Sequence, residues 1–214
     1  MCALLSSNAA IQEGAKMFRK ELVILFCLIT MAGITTHVDA FDGQRKGFIL
    51  GGGLGLGSTD FEQSIDVGPF SSVSGGESTF SFQTNFKIGY APSEQMEIYY
   101  FSHQAFFGME NILRNNVTIA SGVGGAGVTY FFKTQVPSFF IAGGIGMAMW
   151  ALPFESNADT WTGFGLTASG GYEFSRHVSF EVGITYGEPS LRVLGVDFTT
   201  KATTIRATIN ALAY

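Results

Sequence analysis

The chain has 214 residues, enough for one domain, and is 46% hydrophobic with 21 Phe and 28 Gly but only 14% charged residues; an average soluble domain carries about a quarter charged. Its net charge of -5 argues against a nucleic-acid partner, which calls for basic patches. Past the first forty residues no apolar run reaches the about 20 residues a membrane helix needs. The hydrophobicity must therefore lie in alternation, and a closed barrel is the remaining way to satisfy the backbone in lipid.

Residues 1–16 read as an upstream extension and residues 17–40 as a signal peptide. From Met17, a short charged stretch leads into the largely apolar Leu22 to Ile34 and then the small-residue end Val38-Asp39-Ala40. That order is a secretory signal with cleavage after Ala40. Residues 41–214 form the barrel domain, starting at Phe41. Both cysteines, Cys2 and Cys27, precede it, so no disulfide or thiol chemistry is expected there.

Eight segments then alternate with period two. The first, about Gly47 to Gly57, sets Phe48, Leu50, Leu54 and Leu56 against Gly51, Gly53, Gly55 and Gly57. The second, Ser78 to Tyr90, places Phe80, Phe82, Phe86, Ile88 and Tyr90 opposite Ser81, Gln83, Asn85, Lys87 and Gly89. The third, about Gln95 to His103, sets Met96, Ile98 and Tyr100 against Glu97, Tyr99 and Phe101. The fourth ends with Ala126, Val128, Tyr130 and Phe132, and the fifth carries Phe139, Ile141, Ile145 and Met147. The sixth has Phe164, Leu166, Ala168, Tyr172 and Phe174 on its apolar face, and the seventh Val178, Phe180, Val182, Ile184 and Tyr186. The eighth carries Ile205, Ala207, Ile209 and Ala211 against Arg206, Thr208 and Asn210.

Short turns join strands two and three (Ala91 to Glu94), four and five (Lys133 to Pro137) and six and seven (Ser175 to His177). The other gaps are read as loops of roughly 15 to 20 residues, the short-and-long pattern of transmembrane barrels. A soluble barrel also alternates, with its apolar set inside. Here the polar set is mostly Gly, Ser and Thr, which suits a narrow lumen rather than a water-facing exterior. Tyr90, Tyr130, Phe132, Phe139, Tyr172 and Phe174 all fall beside the short turns, as an aromatic girdle at a membrane interface does.

On this architecture the domain 41–214 resembles the small eight-stranded outer-membrane proteins of the OmpA-transmembrane-domain and OmpX kind. The resemblance implies an all-β, antiparallel up-and-down barrel in the outer membrane of a Gram-negative cell, monomeric and without a cofactor. It implies as partners the outer-membrane lipids and lipopolysaccharide, periplasmic chaperones and the barrel insertion machinery. The terminal Tyr214 resembles the assembly signal read by that machinery, although it falls in phase with Arg206 and Asn210 rather than with the lipid-facing set. Either a bulge shifts the last residues or the signal is weak here.

The lumen-facing charges Lys87, Glu97, Glu173, Glu181 and Arg206 form the candidate site. Lys87 and Glu97 flank one short turn and should lie opposite each other. Such charges must pair in a low-dielectric interior, so an ion-pair plug is favoured over a gate that opens when pairs exchange. No catalytic set emerges: Ser102 and His103 are adjacent in a strand and point to opposite faces. Gly122 to Gly127 fits G-x-G-x-x-G, but the following residues continue as strand where a dinucleotide site needs a helix. The long connections hold nine acidic residues, among them Asp60, Glu155, Glu188 and Asp197. They read as a solvated acidic surface, with cation bridging to lipopolysaccharide as the sharper alternative. Phe106, Phe107, Trp150 and Leu191 in the same connections serve either adhesion or packing of the barrel top. The expected function is a non-enzymatic envelope barrel for membrane integrity or surface interaction. A narrow ion or small-solute pore is the second reading, and a lipid-modifying enzyme the third.

Overall fold

Alternating polarity can be satisfied in a single sheet only if one face closes on itself, and the chain does this. The computed structural model describes residues 44–67, 70–110, 116–155, 159–193 and 195–214. The extension 1–16, the signal 17–40 and the Phe41 start lie outside the described residues. Eight strands follow in order: β1 (Gly47–Val67), β2 (Phe70–Ser93), β3 (Met96–Glu110), β4 (Asn116–Phe131), β5 (Ser138–Ala151), β6 (Trp161–Ser175), β7 (Val178–Val193) and β8 (Val196–Ala213). Each pairs antiparallel with the next, and β8 pairs with β1 from Leu50↔Ala213 to Val67↔Val196, closing the barrel.

The register sets the tilt. From Gly51 the hydrogen-bonded row passes through Lys87, Phe101, Gly125, Gly146, Gly165, Gly187 and Ala202 and returns to β1 at Phe61, ten residues along. With standard strand rise and spacing, that stagger tilts the strands by about 40°. An eight-stranded barrel so tilted has an interior just wide enough to be filled by side chains.

The usual distribution of polarity is inverted. Leu54, Phe80, Ile141, Ile145, Phe164, Ile184 and Ile209 are exposed around the outside, while Gln83, Glu97, Thr129, Glu173, Ser179 and Arg206 are buried inside. Small residues make room for the few large rings within. A Cβ on Gly144 would sit 2.3 Å from the Phe101 ring, and one on Gly127 would sit 2.7 Å from the Tyr99 ring.

The long connections differ from expectation. Instead of loops, β1 and β2 continue as a paired hairpin to Val67↔Phe70, and β3 and β4 to Glu110↔Asn116. β7 and β8 continue to Val193↔Val196, where Gly195 takes φ +83° in a tight turn. Between Ala151 and Trp161 the connection stays longer. Phe106 and Phe107 therefore belong to β3, Trp150 to β5 and Leu191 to β7. Asp60, Glu188 and Asp197 likewise stand on strands. The physical reason is that backbone pairing needs no hydrophobic pattern on the outer face, while the inner face stays packed by Phe61, Phe107, Val117 and Ala202.

Candidate functional site

The interior is a stack of layers from the short-turn end to the long-hairpin end. At the short-turn end Arg45, just before β1, inserts its side chain into the barrel mouth. Its guanidinium pairs with the Glu173 carboxylate of β6, Nε donating to Oε2 at 2.9 Å. Its Nη1 donates to the carbonyl oxygens of Glu94 (2.8 Å) and Lys133 (2.9 Å) in two different turns. The Phe131 ring lies 4.1 Å from the guanidinium carbon, a cation–π contact. The Glu94 carboxylate accepts the backbone N–H groups of Arg45 (3.1 Å) and Lys46 (3.3 Å), holding the segment against the rim.

Tyr214 completes this layer from the other terminus. It stands one residue beyond β8, buried in phase with Leu212, Asn210 and Arg206, and its hydroxyl donates to Glu173 Oε1 at 2.7 Å. The β7–β8 pairing runs without a register shift as far as Val178↔Ala211, so no bulge turns the ring toward the outside. Burial pushes the Tyr214 phenol above its ordinary value, and the nearby Glu97 and Glu173 carboxylates push it further. It is therefore a neutral hydrogen-bond donor at any ordinary pH.

The next layer holds two separate ion pairs. Lys87 Nζ meets Glu97 Oε2 at 2.7 Å across the β2–β3 hairpin and lies 5.0 Å from the Tyr99 ring centroid. Arg206 Nη2 meets Glu181 Oε1 at 2.7 Å, and its Nη1 donates to Thr185 (2.6 Å) and Thr167 (3.2 Å). Asn85 Nδ2 joins the neighbouring Thr208 and Asn210 at 2.9 and 3.2 Å. Between these groups lies a cavity with about 30 Å³ open to water centres, room for one or two waters.

The charges Lys87, Glu97, Glu173, Glu181 and Arg206 thus all face the lumen, but they form three clusters rather than one chain. Sequence reasoning missed Arg45. It precedes the first alternating segment, so no periodicity marks it. The one available signal was arithmetic: three lumen carboxylates faced only two lumen cations, which left one acid without a partner.

The upper interior is apolar. Phe61, Phe107 and Trp150 pack with ring centroids 5.3 to 5.7 Å apart, joined by Ala105, Val117, Ile119 and Ala202. Phe107 and Trp150 therefore pack the barrel top. His103 faces the lumen, where its Nδ1 lies 3.4 Å from Thr167 Oγ1, and its ring lies 4.8 Å from Phe101. His177, in the β6–β7 turn, bonds through Nδ1 with the Leu212 carbonyl at 2.9 Å.

On the outside of the short-turn end, Tyr90, Tyr130, Phe132, Phe139 and Phe174 are exposed and Tyr172 is half-buried. Tyr130 and Phe132 meet edge to face at 5.8 Å, and Phe139 meets Tyr172 at 4.7 Å. All six project outward beside the turns.

No family model matches the chain, and no curated protein matches it. Several solved barrels are similar in architecture. The outer membrane protein OprG of Pseudomonas aeruginosa shares 12% identity at a TM-score of 0.45, covering 81% of this chain and 99% of that one. Neisserial surface protein A shares 12% at 0.43, covering 74% and 96%. Ail, the attachment invasion locus protein of Yersinia pestis, shares 12% at 0.35, covering 77% and 99%. Likenesses this distant transfer no function.

Proposed function

We propose that the chain is an integral outer-membrane barrel with a sealed lumen, working through its exposed long-hairpin end rather than by conduction or catalysis. The observation that carries this is the inversion of polarity: apolar side chains ring the exterior while ion pairs fill the interior. Left in water, such a belt would cost on the order of tens of kcal/mol, at about 1.5–3 kcal/mol per large side chain. Lipid removes that cost, and closing β8 onto β1 leaves the sheet without an open edge to face it. The outward aromatics at the short-turn end suit the membrane interface. By the usual disposition of such barrels, the short turns face the periplasm and the long hairpins face outward.

Two features support a sealed lumen. The Arg45–Glu173–Tyr214 layer covers one end, and the Phe61–Phe107–Trp150 cluster fills the other. The small cavity between them is lined by Lys87, Tyr99, His103 and Glu181 and has room for no more than one or two waters. An enzymatic role draws no support from His103, which faces the lumen away from any surface substrate, or from His177, tied to a backbone carbonyl. Surface interaction and envelope integrity are the roles left to such a barrel.

Planar-bilayer recording of the purified full chain tests this reading. A sealed barrel gives a quiet baseline. Steady unitary openings at neutral pH would instead establish the narrow pore.

A further inference from the structure

The long-hairpin end carries a cup of about 580 Å³ above the Phe61–Phe107–Trp150 cluster, within the range of small-molecule sites. Trp150 forms its floor, and Trp161, Phe198, Leu152 and Met109 stand around it. Trp161 and Phe198 pack at 6.0 Å between centroids, so the wall has a fixed aromatic face. The Trp150 floor is backed from below by Phe61, tilted at 5.3 Å, and by Phe107, edge-on at 5.6 Å.

The rim supplies a charge. Glu155 lines the cup, brought back over it by a turn in which its N–H donates to the Leu152 carbonyl at 3.2 Å. Among the described residues, the cations of the long-hairpin end are engaged elsewhere: Arg192 pairs with Asp197 at 2.8 Å and Lys201 with Glu188 at 3.8 Å. Glu155 pairs with no cation among the described residues. Among the described residues Glu155 is the one charged side chain that lines the cup; Asp60, Glu62 and Asp66 fall on the outward phase of β1 with Leu54 and Leu56. Aromatic faces attract cations through their ring quadrupoles, and the Glu155 carboxylate at the rim favours a cation over an anion there.

We propose that this cup binds a small organic cation, an amine or quaternary ammonium with an apolar or aromatic body. The body fills the cup against Trp150 and Leu152, and the cationic head lies between the Trp161–Phe198 face and the Glu155 carboxylate. A neutral molecule gains only the apolar contacts, and an anion meets a repulsive rim. The proposal goes beyond the sealed-barrel reading and does not require it, because the cup lies above the plug.

The chain's two tryptophans, Trp150 and Trp161, both line the cup, so intrinsic fluorescence reports occupancy directly. The full chain in nanodiscs is titrated with benzyltrimethylammonium, with its neutral carbon isostere neopentylbenzene and with phenylmethanesulfonate. Saturable fluorescence change is expected with the cation, at least about tenfold tighter than with the anion, a difference of about 1.4 kcal/mol. E155Q, at an exposed position, should weaken the cation about threefold to tenfold and leave the neutral probe unchanged. W161F should retain binding, and W161A, read through Trp150, should lose most of it. Equal affinity for cation and neutral isostere, unaltered by E155Q, would overturn the cationic assignment. An absence of saturable change with every probe would overturn the site itself. Either result leaves the bilayer recording unaffected, so the two readings fail separately.

Discussion

Replacing Arg45 by Ala tests the lower plug. The substitution removes the cation from Glu173, whose carboxylate is 0% exposed, and leaves the Tyr214 hydroxyl as its remaining charge-directed donor. It also frees two turn carbonyls and the face of Phe131. Breaking a buried pair by deleting one partner costs about 3–5 kcal/mol. The value here should lie near the low end, about 3 kcal/mol by the same principle. The open mouth beside Arg45 has about 540 Å³, so water can reach the abandoned carboxylate. With a urea slope of about 1–3 kcal/mol per molar, the unfolding midpoint in lipid vesicles should fall by about 1–3 M. Glu173→Gln in both backgrounds completes the cycle. Because the two side chains touch, their effects should be non-additive by about 1.5 kcal/mol or more. If R45A shifts the midpoint negligibly, or if the two substitutions add within about 0.5 kcal/mol, the Arg45–Glu173 pair is not holding the barrel.

Other perturbations separate the lumen from the exterior. Tyr214→Phe removes a hydrogen bond to a charged acceptor and should cost about 1.5–3 kcal/mol. Its pH signature is one-sided: with the folded phenol raised, stability is intact below the ordinary value of about 10 and falls as pH rises beyond it. Y214F should reduce that alkaline loss in urea titrations at pH 9 and 11, and an unchanged loss would count against the buried phenol. Gly144→Ala drives a Cβ into the Phe101 ring, whereas a Cβ at the neighbouring Gly143 meets nothing nearer than 3.6 Å. G144A should cost about 1–3 kcal/mol and G143A should be close to neutral; equal effects would mean that the faces are misassigned. Ile184→Arg on the outer belt should cost about 2–4 kcal/mol in vesicles if it sits near the bilayer midplane. No penalty there would argue against lipid contact.

Much of this protein was written in its sequence. Phe80, Phe82, Phe86 and Ile88 against Ser81, Gln83, Asn85 and Lys87 determine both the strand and its faces, because side chains on a strand alternate strictly. Lys87 and Glu97 do meet, but not as directly opposite residues: the register sets Lys87 across from Phe101, and its long side chain reaches Glu97 diagonally. Even the inward phase of Tyr214 was legible, since counting by twos from Arg206 and Asn210 reaches it. Three things were decided only by the tertiary structure. The β1–β2, β3–β4 and β7–β8 hairpins extend past the apolar belt because backbone pairing needs no hydrophobic pattern on the outer face, while Phe61, Phe107 and Ala202 keep the inner face packed. Arg45 finds Glu173 across 128 positions of sequence because barrel closure brings the chain before β1 beside β6, a proximity that no local period encodes. The same closure gathers Trp150, Trp161, Phe198 and Glu155 into one cup from three strands and a connection. Alternation specifies which way a side chain points, and the stagger of the closed sheet specifies what it meets.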